Sequence, residues 1–312
     1  MNNIWLDGVM GVVIGDALGC PVQFETREEV ASHPITGMRG NGTFNLPAGS
    51  WTDDSSLTIA LMESIKRLDR IDLNDIMNNF VKWLDEGVFT PFGYAYDIGR
   101  GTMWGIEMYK KHKDPLHCAS DDEWNNGNGS LMRILPVCLY CWNKQLTDDV
   151  AIDAVHKVSS LTHAHIRSNI ACGLYYFVIK SVLESDSCLK DRLQNGLNNG
   201  FSFYKSALVD QENVAFYDRL RDLATFANTP SSDIKSSGYV VSSLEAAIWS
   251  LINTSSFETA LLTAVNLGDD SDTVGAITGG LGGLFYGYKA IPKEWLQVIQ
   301  RREWIESLCN AP

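Results

Sequence analysis

Runs of alternating β-branched residues are nearly absent from this chain of 312 residues, which excludes a fold built mainly from half-buried strands. Basic charge is also in deficit, with 25 Lys and Arg against 38 Asp and Glu and a formal net charge of −13. That average field repels phosphate, so no nucleic-acid polymer and no anionic membrane is expected as a partner. A negatively charged substrate would need a local cation. No G-x-x-x-x-G-K-[S/T] segment occurs, so a phosphate-loop nucleotidase is not supported. The opening Met-Asn-Asn-Ile-Trp-Leu-Asp has no positively charged region, and no signal peptide is expected. The best membrane-spanning candidate, Val274 to Ile291, is interrupted by Gly275, Gly279, Gly280, Gly282, Gly283 and Gly287 and opens on an acidic run.

What is present is globular in character, with 45% hydrophobic and 20% charged residues. The seven cysteines are odd in number and scattered, as for buried free thiols in a reducing compartment, so a cytoplasmic location is expected. Cys138 and Cys141 form a lone C-x-x-C, read as two packed side chains because no second pair accompanies it. Helical periodicity recurs from end to end. Leu57, Ala60, Leu61, Ser64, Ile65 and Leu68 share one face, with Thr52 to Asp54 as a capping segment, and Val274, Ile277, Leu281, Leu284, Phe285 and Tyr288 share another.

The same pattern predicts helices around 5–18, 73–85, 95–110, 130–142, 147–160, 167–184, 241–253, 256–266 and 293–306, separated by loops at 36–50, 121–130 and 228–239. Without a composition shift or a repeat, one helical domain over 1–312 is expected. Gly275, Gly279, Gly283 and Gly287, spaced by four, predict close approach of a neighbouring helix.

Two acidic clusters stand where helices should begin: Gly49-Ser50-Trp51-Thr52-Asp53-Asp54 and Gly268-Asp269-Asp270-Ser271-Asp272-Thr273. Helix capping accounts for one carboxylate at such a position. Several within one turn repel one another, and a bound divalent cation is the usual relief. Oxygen-only ligands favour hard ions such as Mg²⁺ or Mn²⁺ over zinc, and two clusters brought together would hold two ions about 3.5–4 Å apart. An EF-hand counted from Asp270 keeps Gly275 but fails at Val274 and Leu281. Capping and metal binding both remain open on spacing alone.

Further motifs lie between the clusters. Gly15-Asp16-Ala17-Leu18-Gly19-Cys20-Pro21-Val22, Asp97-Ile98-Gly99, Gly127-Asn128-Gly129-Ser130-Leu131-Met132-Arg133, Thr162-His163 and Gly238-Tyr239-Val240 appear in this order. Together with Trp51-Thr52-Asp53-Asp54 and the second acidic cluster, they make the chain resemble the ADP-ribosylglycohydrolase family over nearly its whole length. The resemblance implies an all-α, single compact domain with a binuclear metal cleft. It implies Thr52, Asp53, Asp54, Asp270, Asp272 and Thr273 as ligands of two divalent cations, Mg²⁺ or Mn²⁺, that grip chiefly the ribose beside the scissile bond.

It also implies hydrolysis of the bond joining ADP-ribose to an acceptor, here an arginine on a modified protein or an ADP-ribose-containing small molecule, with Asp97 in proton transfer. Asp97 alone would equally read as a helix cap. Gly127, Asn128, Gly129 and Ser130 form a turn whose free N–H groups suit a phosphate. His163 is expected at the diphosphate or ribose, His165 at the surface, and Tyr239 either against adenine or in the core. One departure is plain. Where many family members have glutamate, this chain has Gln23, which keeps the hydrogen-bonding shape and loses the charge. A non-catalytic ADP-ribose-binding or structural member of the fold therefore stands beside the arginine reading, and so does a hydrolase of O-linked ADP-ribose, since acceptor-facing residues lie on variable loops.

Overall fold

The computed structural model describes residues 3–207 and 210–311. It is all-α. No β-strand occurs among the described residues, only two isolated antiparallel bridges, Asn41 to Leu46 and Gly127 to Tyr239. In chain order the helices are α1 (Ile4–Gly19), α2 (Arg27–Ser32), α3 (Asp53–Leu68), α4 (Leu73–Glu86) and α5 (Arg100–His112). Then come α6 (Leu135–Asn143), α7 (Asp148–Ser159), α8 (Ile166–Glu184), α9 (Leu189–Ser206), α10 (Gln211–Ala215) and α11 (Leu223–Phe226). The last are α12 (Val240–Ile252), α13 (Phe257–Val265), α14 (Ser271–Tyr286), α15 (Lys293–Val298) and α16 (Arg302–Asn310).

The centre of the molecule is the pair α1 and α14, which pack along their full lengths. Apolar on every side and buried from Asp7 to Gly19, α1 can be stable in water only when surrounded. Asn3 fixes its start by accepting hydrogen bonds from the N–H groups of Trp5 at 3.1 Å and Leu6 at 3.2 Å. The close approach predicted from the glycine stripe has Gly11 and Gly15 as its counterpart. A methyl group on Gly279 would overlap the carbonyl oxygen of Gly11, and one on Gly15 that of Gly275. Gly287 does not belong to the stripe. At φ +80° it ends α14. The stretch long and apolar enough to cross a membrane is Ile4–Val22 rather than Val274–Ile291, and 83% of it is buried inside the protein as the core helix.

Several boundaries differ from the periodicity for stated reasons. The helix expected over 95–110 starts only at Arg100, because Asp97 is left-handed at φ +55° and Gly99 occupies the cap position. The segment 130–142 divides into a 3₁₀ turn, Leu131–Arg133, and α6, whose first turn contains Pro136. Arg301, at φ +55°, breaks 293–306 into α15 and α16. That break lets Gln300 donate its N–H to Gly49 at 3.1 Å and accept from the Trp51 indole at 2.9 Å, which fixes the approach to α3.

Helix α9 has no counterpart in the sequence expectations. Its buried Leu189, Leu193 and Leu197 are spaced by four, but Gly196, Gly200 and many polar residues dilute the signal. The glycines are explained by α8: a methyl on Gly196 would press on the backbone of Val178.

Candidate active site

The starts of α3 and α14 meet above the C-terminal end of α1, and this meeting builds the acidic cluster. The two helix starts do not use the expected side chains as caps. Thr52 occupies the cap position of α3 and Asp270 that of α14, yet neither side chain accepts from the backbone N–H groups of its own helix. Thr52 Oγ1 instead lies 3.2 Å from Asp54 Oδ2 and 3.4 Å from Asp272 Oδ2, and Thr273 Oγ1 lies 3.5 Å from Asp54 Oδ2. Asp270 accepts from Asn128 Nδ2 at 2.6 Å. Asp97 does not cap α5 either, since Gly99 stands there. The capping explanation, open on spacing alone, does not describe Thr52, Asp270 or Asp97, whereas Asp272 does accept from the Thr273 N–H at 2.9 Å in the first turn of α14.

Asp16, which the sequence analysis quoted without giving it a role, organises the cluster from below. Its carboxylate accepts from Thr52 N–H at 3.0 and 2.9 Å, Thr52 Oγ1 at 3.0 Å, Ser55 N–H at 3.0 Å and Ser55 Oγ at 2.5 Å. The carboxylates of Asp16, Asp54 and Asp272 offer oxygens all within 4.8 Å of one another. With its oxygens already engaged by so many donors, Asp16 orients Thr52 and α3. Asp54 is different: its Oδ1 is buried with no partner. A buried acceptor in that state favours a cation, since an unsatisfied carboxylate oxygen is costly in a low dielectric.

Burial is the largest influence on every acid here. It raises the pKa of Asp53, Asp54 and Asp272 well above the usual carboxylate value, with repulsion from neighbouring aspartates adding to it. Asp97 and Asp270 are raised for the same first reason, and Asp16 is raised to about 7 despite the bonds from Ser55 and Thr52 that pull it down. Concentrated unfavourable charge of this kind fits an oxygen-ligated hard cation.

A cleft of about 820 Å³ opens over the cluster. Asp53, Asp270 and Thr273 reach it directly, together with Gln23, Asp97, Gly127, Asn128, Gly129 and His163, while Asp54, Asp272 and Thr52 lie deeper. Two residues expected at the substrate do not face this space. The Ser130 hydroxyl is fully buried and accepts from Ser159 at 2.9 Å. Tyr239 accepts from Arg167 at 3.4 Å through its hydroxyl, and its neighbours pair with the glycine-rich turn: Asn128 N–H donates to Gly238 at 3.0 Å and Val240 N–H to Asn126 at 3.1 Å. His165, expected at the surface, is buried and accepts from the Arg167 N–H at 3.2 Å.

Arg100, Thr102, Trp104 and Trp124, which stand outside the motifs, complete the lining, and Arg133 of the glycine-rich motif supports it from behind. Arg133 is fully buried, donates to the carbonyl of Gly129, and lies 5.1 Å from the Phe80 ring centre, so it holds the turn in place. Burial lowers its pKa to about 10. His163 is held neutral, its pKa lowered to about 3 by burial and by Arg133, with Nδ1 2.7 Å from Thr162 Oγ1. Thr102 lines the same part of the cleft, and its buried hydroxyl has no partner. Arg100 is the cation on the lining. Trp104 and Trp124, 54% and 95% exposed, stand at the rim beside it. Cys138 and Cys141 are buried free thiols on α6 and take no part in the cleft.

Comparison with known proteins follows this geometry. Residues 5–311 match the family described as ADP-ribosylglycohydrolase. An ADP-ribosylarginine hydrolase of Serratia proteamaculans is 31% identical over 97% of this chain and 76% of its own length. The ADP-ribosyl-[dinitrogen reductase] glycohydrolase of Rhodospirillum rubrum is 26% identical over 95% of this chain and 90% of its own. A solved structure titled ADP-ribosylglycohydrolase-related protein complex superposes with a TM-score of 0.79 at 29% identity, covering 99% of this chain and 96% of that one.

Proposed function

Because this chain belongs to the ADP-ribosylglycohydrolase family, a family of hydrolases, we propose that it is a metal-dependent enzyme releasing ADP-ribose from arginine on a modified protein. The observation that carries the reading is the convergence of Thr52, Asp53, Asp54, Asp270, Asp272 and Thr273 on one cleft floor, with Asp54 Oδ1 unpartnered. These residues would hold two divalent cations, Mg²⁺ or Mn²⁺. When bound, the ions supply positive charge and orientation for the ribose hydroxyls at the foot of the cleft.

The rest of the chemistry belongs to the chain. The N–H groups of Gly127 and Gly129, the Thr102 hydroxyl and the Arg100 guanidinium give one part of the lining the donors that a diphosphate needs. Neutral His163 adds a ring nitrogen there. Arg133, Ser130 and Tyr239 support this turn from behind. Trp104 and Trp124 offer flat faces to adenine.

Asp97 lines the cleft beside the acidic floor, against the Gln23 amide. Cleavage at the anomeric carbon builds oxocarbenium character, which a cleft of carboxylates stabilises. Asp97 takes the proton of the attacking water as the carbon–nitrogen bond breaks and returns it to the released guanidine nitrogen, a transfer suited to a carboxyl whose pKa burial has raised. With six buried free thiols, one exposed at Cys188, and a net charge of −13, the cytoplasm is the compartment we assign.

The test is release of free ADP-ribose from an ADP-ribosyl-arginine peptide with Mg²⁺ or Mn²⁺ present. Turnover is expected from the native chain and not from Asp270→Ala. Absence of native turnover, or full turnover by that variant, overturns the reading. Tight ADP-ribose binding by calorimetry without cleavage of any linkage would instead identify a binding protein.

A further inference from the structure

One buried polar atom on the cleft wall is not explained by binding ADP-ribose through cations and backbone donors. Gln23 is only 5% exposed, faces the cleft, and its Oε1 has no hydrogen-bond partner. The Gln23 amide lies against the Asp97 carboxylate, and its carbonyl oxygen is buried in the cleft wall without a partner. That oxygen can only accept. It awaits an N–H or O–H donor from whatever fills the cleft there.

The residues around Gln23 say which donor. Phe24 follows it in the chain with a ring 65% exposed at the cleft edge. Its backbone is left-handed at φ +69°, and so is that of Asp269 at φ +61°. Both conformations are unfavourable for residues with side chains, by about 1–3 kcal/mol each. They are held by a reciprocal pair of bonds: Phe24 N–H donates to Asp269 at 2.7 Å, and Asp269 N–H donates to Glu25 at 2.7 Å. The two strained turns thus present an aromatic face and a carboxylate side by side.

The cations beside them are Lys235 and Arg27, and Arg27 is engaged by the carbonyls of Leu267, Ser231 and Ile234. Phe24 and Asp269 form the wall to a neighbouring groove of about 460 Å³ that also contains Glu25 and Glu28, space that a protein acceptor would occupy.

We infer that Gln23, Phe24 and Asp269 form an acceptor subsite for a guanidinium group. The Gln23 oxygen takes one of its N–H groups, the Phe24 ring lies against its planar cation, and Asp269 balances its charge. The inference rests on the arginine reading above and sharpens it: an acceptor hydroxyl, as in serine-linked ADP-ribose, would use neither the ring nor the carboxylate. The replacement of the family glutamate by Gln23 then leaves acceptor recognition intact, because recognition uses an oxygen that both residues own.

The experiment uses the full chain with Mg²⁺ and the variants Gln23→Met, Phe24→Leu and Asp269→Asn, each of which keeps side-chain bulk. Cleavage of ADP-ribosyl-arginine and ADP-ribosyl-serine peptides is measured with ADP-ribose affinity and with agmatine binding to the ADP-ribose-saturated protein. Each variant is expected to lose roughly tenfold in kcat/KM on the arginine linkage and in agmatine affinity, the scale of one desolvated cation–π or charge-assisted contact. ADP-ribose affinity should change less than about twofold in all three variants, and any serine cleavage less than about twofold in Phe24→Leu and Asp269→Asn, which do not touch Asp97.

The subsite is overturned if agmatine does not bind the native protein. It is equally overturned if Gln23→Met weakens ADP-ribose itself as much as it weakens agmatine, which would place the Gln23 oxygen on the ribose. Agmatine binding that responds to the variants without any arginine cleavage would leave the subsite standing and remove the proposed activity alone.

Discussion

Removing divalent ions and following stability against pH probes the acidic floor directly. Burial raises Asp53, Asp54, Asp270, Asp272 and Asp97, and takes Asp16 from 3.8 to about 7. For such a group the folded state binds more protons than the unfolded one. Stability in the metal-free protein is therefore greatest at low pH and is lost as pH rises from the unfolded value through the folded one. Between about pH 5.5 and 7.5, Asp16 alone would contribute a loss of roughly 2 kcal/mol.

Two buried histidines act in the other direction. Their folded values, about 4 for His156 and about 3 for His163, lie below 6.5. Each therefore removes roughly 1.4 kcal/mol over the same interval as pH falls. Neither belongs to the acidic floor: His156 faces the Tyr204 hydroxyl at 2.8 Å and His163 faces Thr162. Their effect is common to the loaded and stripped protein, so the difference between melts with saturating Mn²⁺ and with EDTA isolates the carboxylates.

Every proton displaced by the ions adds about 1.4 kcal/mol per pH unit to that difference. At about 2.1 cal/mol/K per residue, unfolding of this chain has an entropy of roughly 0.65 kcal/mol/K. The Mn²⁺-induced rise in Tm, read by far-UV circular dichroism, should thus grow by about 4 °C from pH 5.5 to 7.5 for one displaced proton, and by about twice that for two. A rise that is independent of pH, or larger at acid pH, refutes the account of a protonated, cation-relieved cluster.

Asp97→Asn should lower kcat on the arginine linkage by about 10²–10⁴-fold while ADP-ribose affinity by calorimetry stays within about threefold, and a kcat near native would remove Asp97 from proton transfer. Gly279→Ala places a methyl group on the Gly11 carbonyl. It should destabilise the chain by about 1–3 kcal/mol in urea titrations, and a neutral result would show that α1 and α14 can separate. Arg133→Met removes the donor that holds the Gly129 carbonyl. KM should rise about fivefold or more, the scale of one lost hydrogen bond to a charged group, with helicity unchanged by circular dichroism. An unchanged KM would mean that the turn keeps its shape without the guanidinium.

Much of the fold was legible because helical burial leaves a periodic trace: α4, α7, α8, α12 and α13 begin and end within a residue or two of the pattern. Where the trace failed, tertiary contacts had replaced it. The polar, glycine-bearing α9 is stabilised by α8, and the left-handed residues Asp97 and Arg301 break helices that local spacing would have continued. In the site, the residue types and their order were visible, but partners were not. Nothing local to Asp16 says that it receives Thr52 and Ser55, 36 and 39 positions away. Nor does the glycine-rich turn announce that Ser130 faces inward to Ser159 while Thr102, far upstream in the chain, lines the cleft with a buried, unpartnered hydroxyl.

By itself the sequence determined the all-helical class, the two oxygen-rich acidic clusters and the resemblance to the family, because periodicity, residue chemistry and ordered motifs are all written along one dimension. Only the tertiary structure decided which oxygens are engaged and which stand free. Asp16 and Asp54 are both buried aspartates, yet one is saturated by donors and the other keeps an empty acceptor. That difference arises from how α1, α3 and α14 are packed, and the packing depends on glycines that let two backbones touch. The same holds at Gln23, whose amide oxygen is buried without a partner beside Asp97.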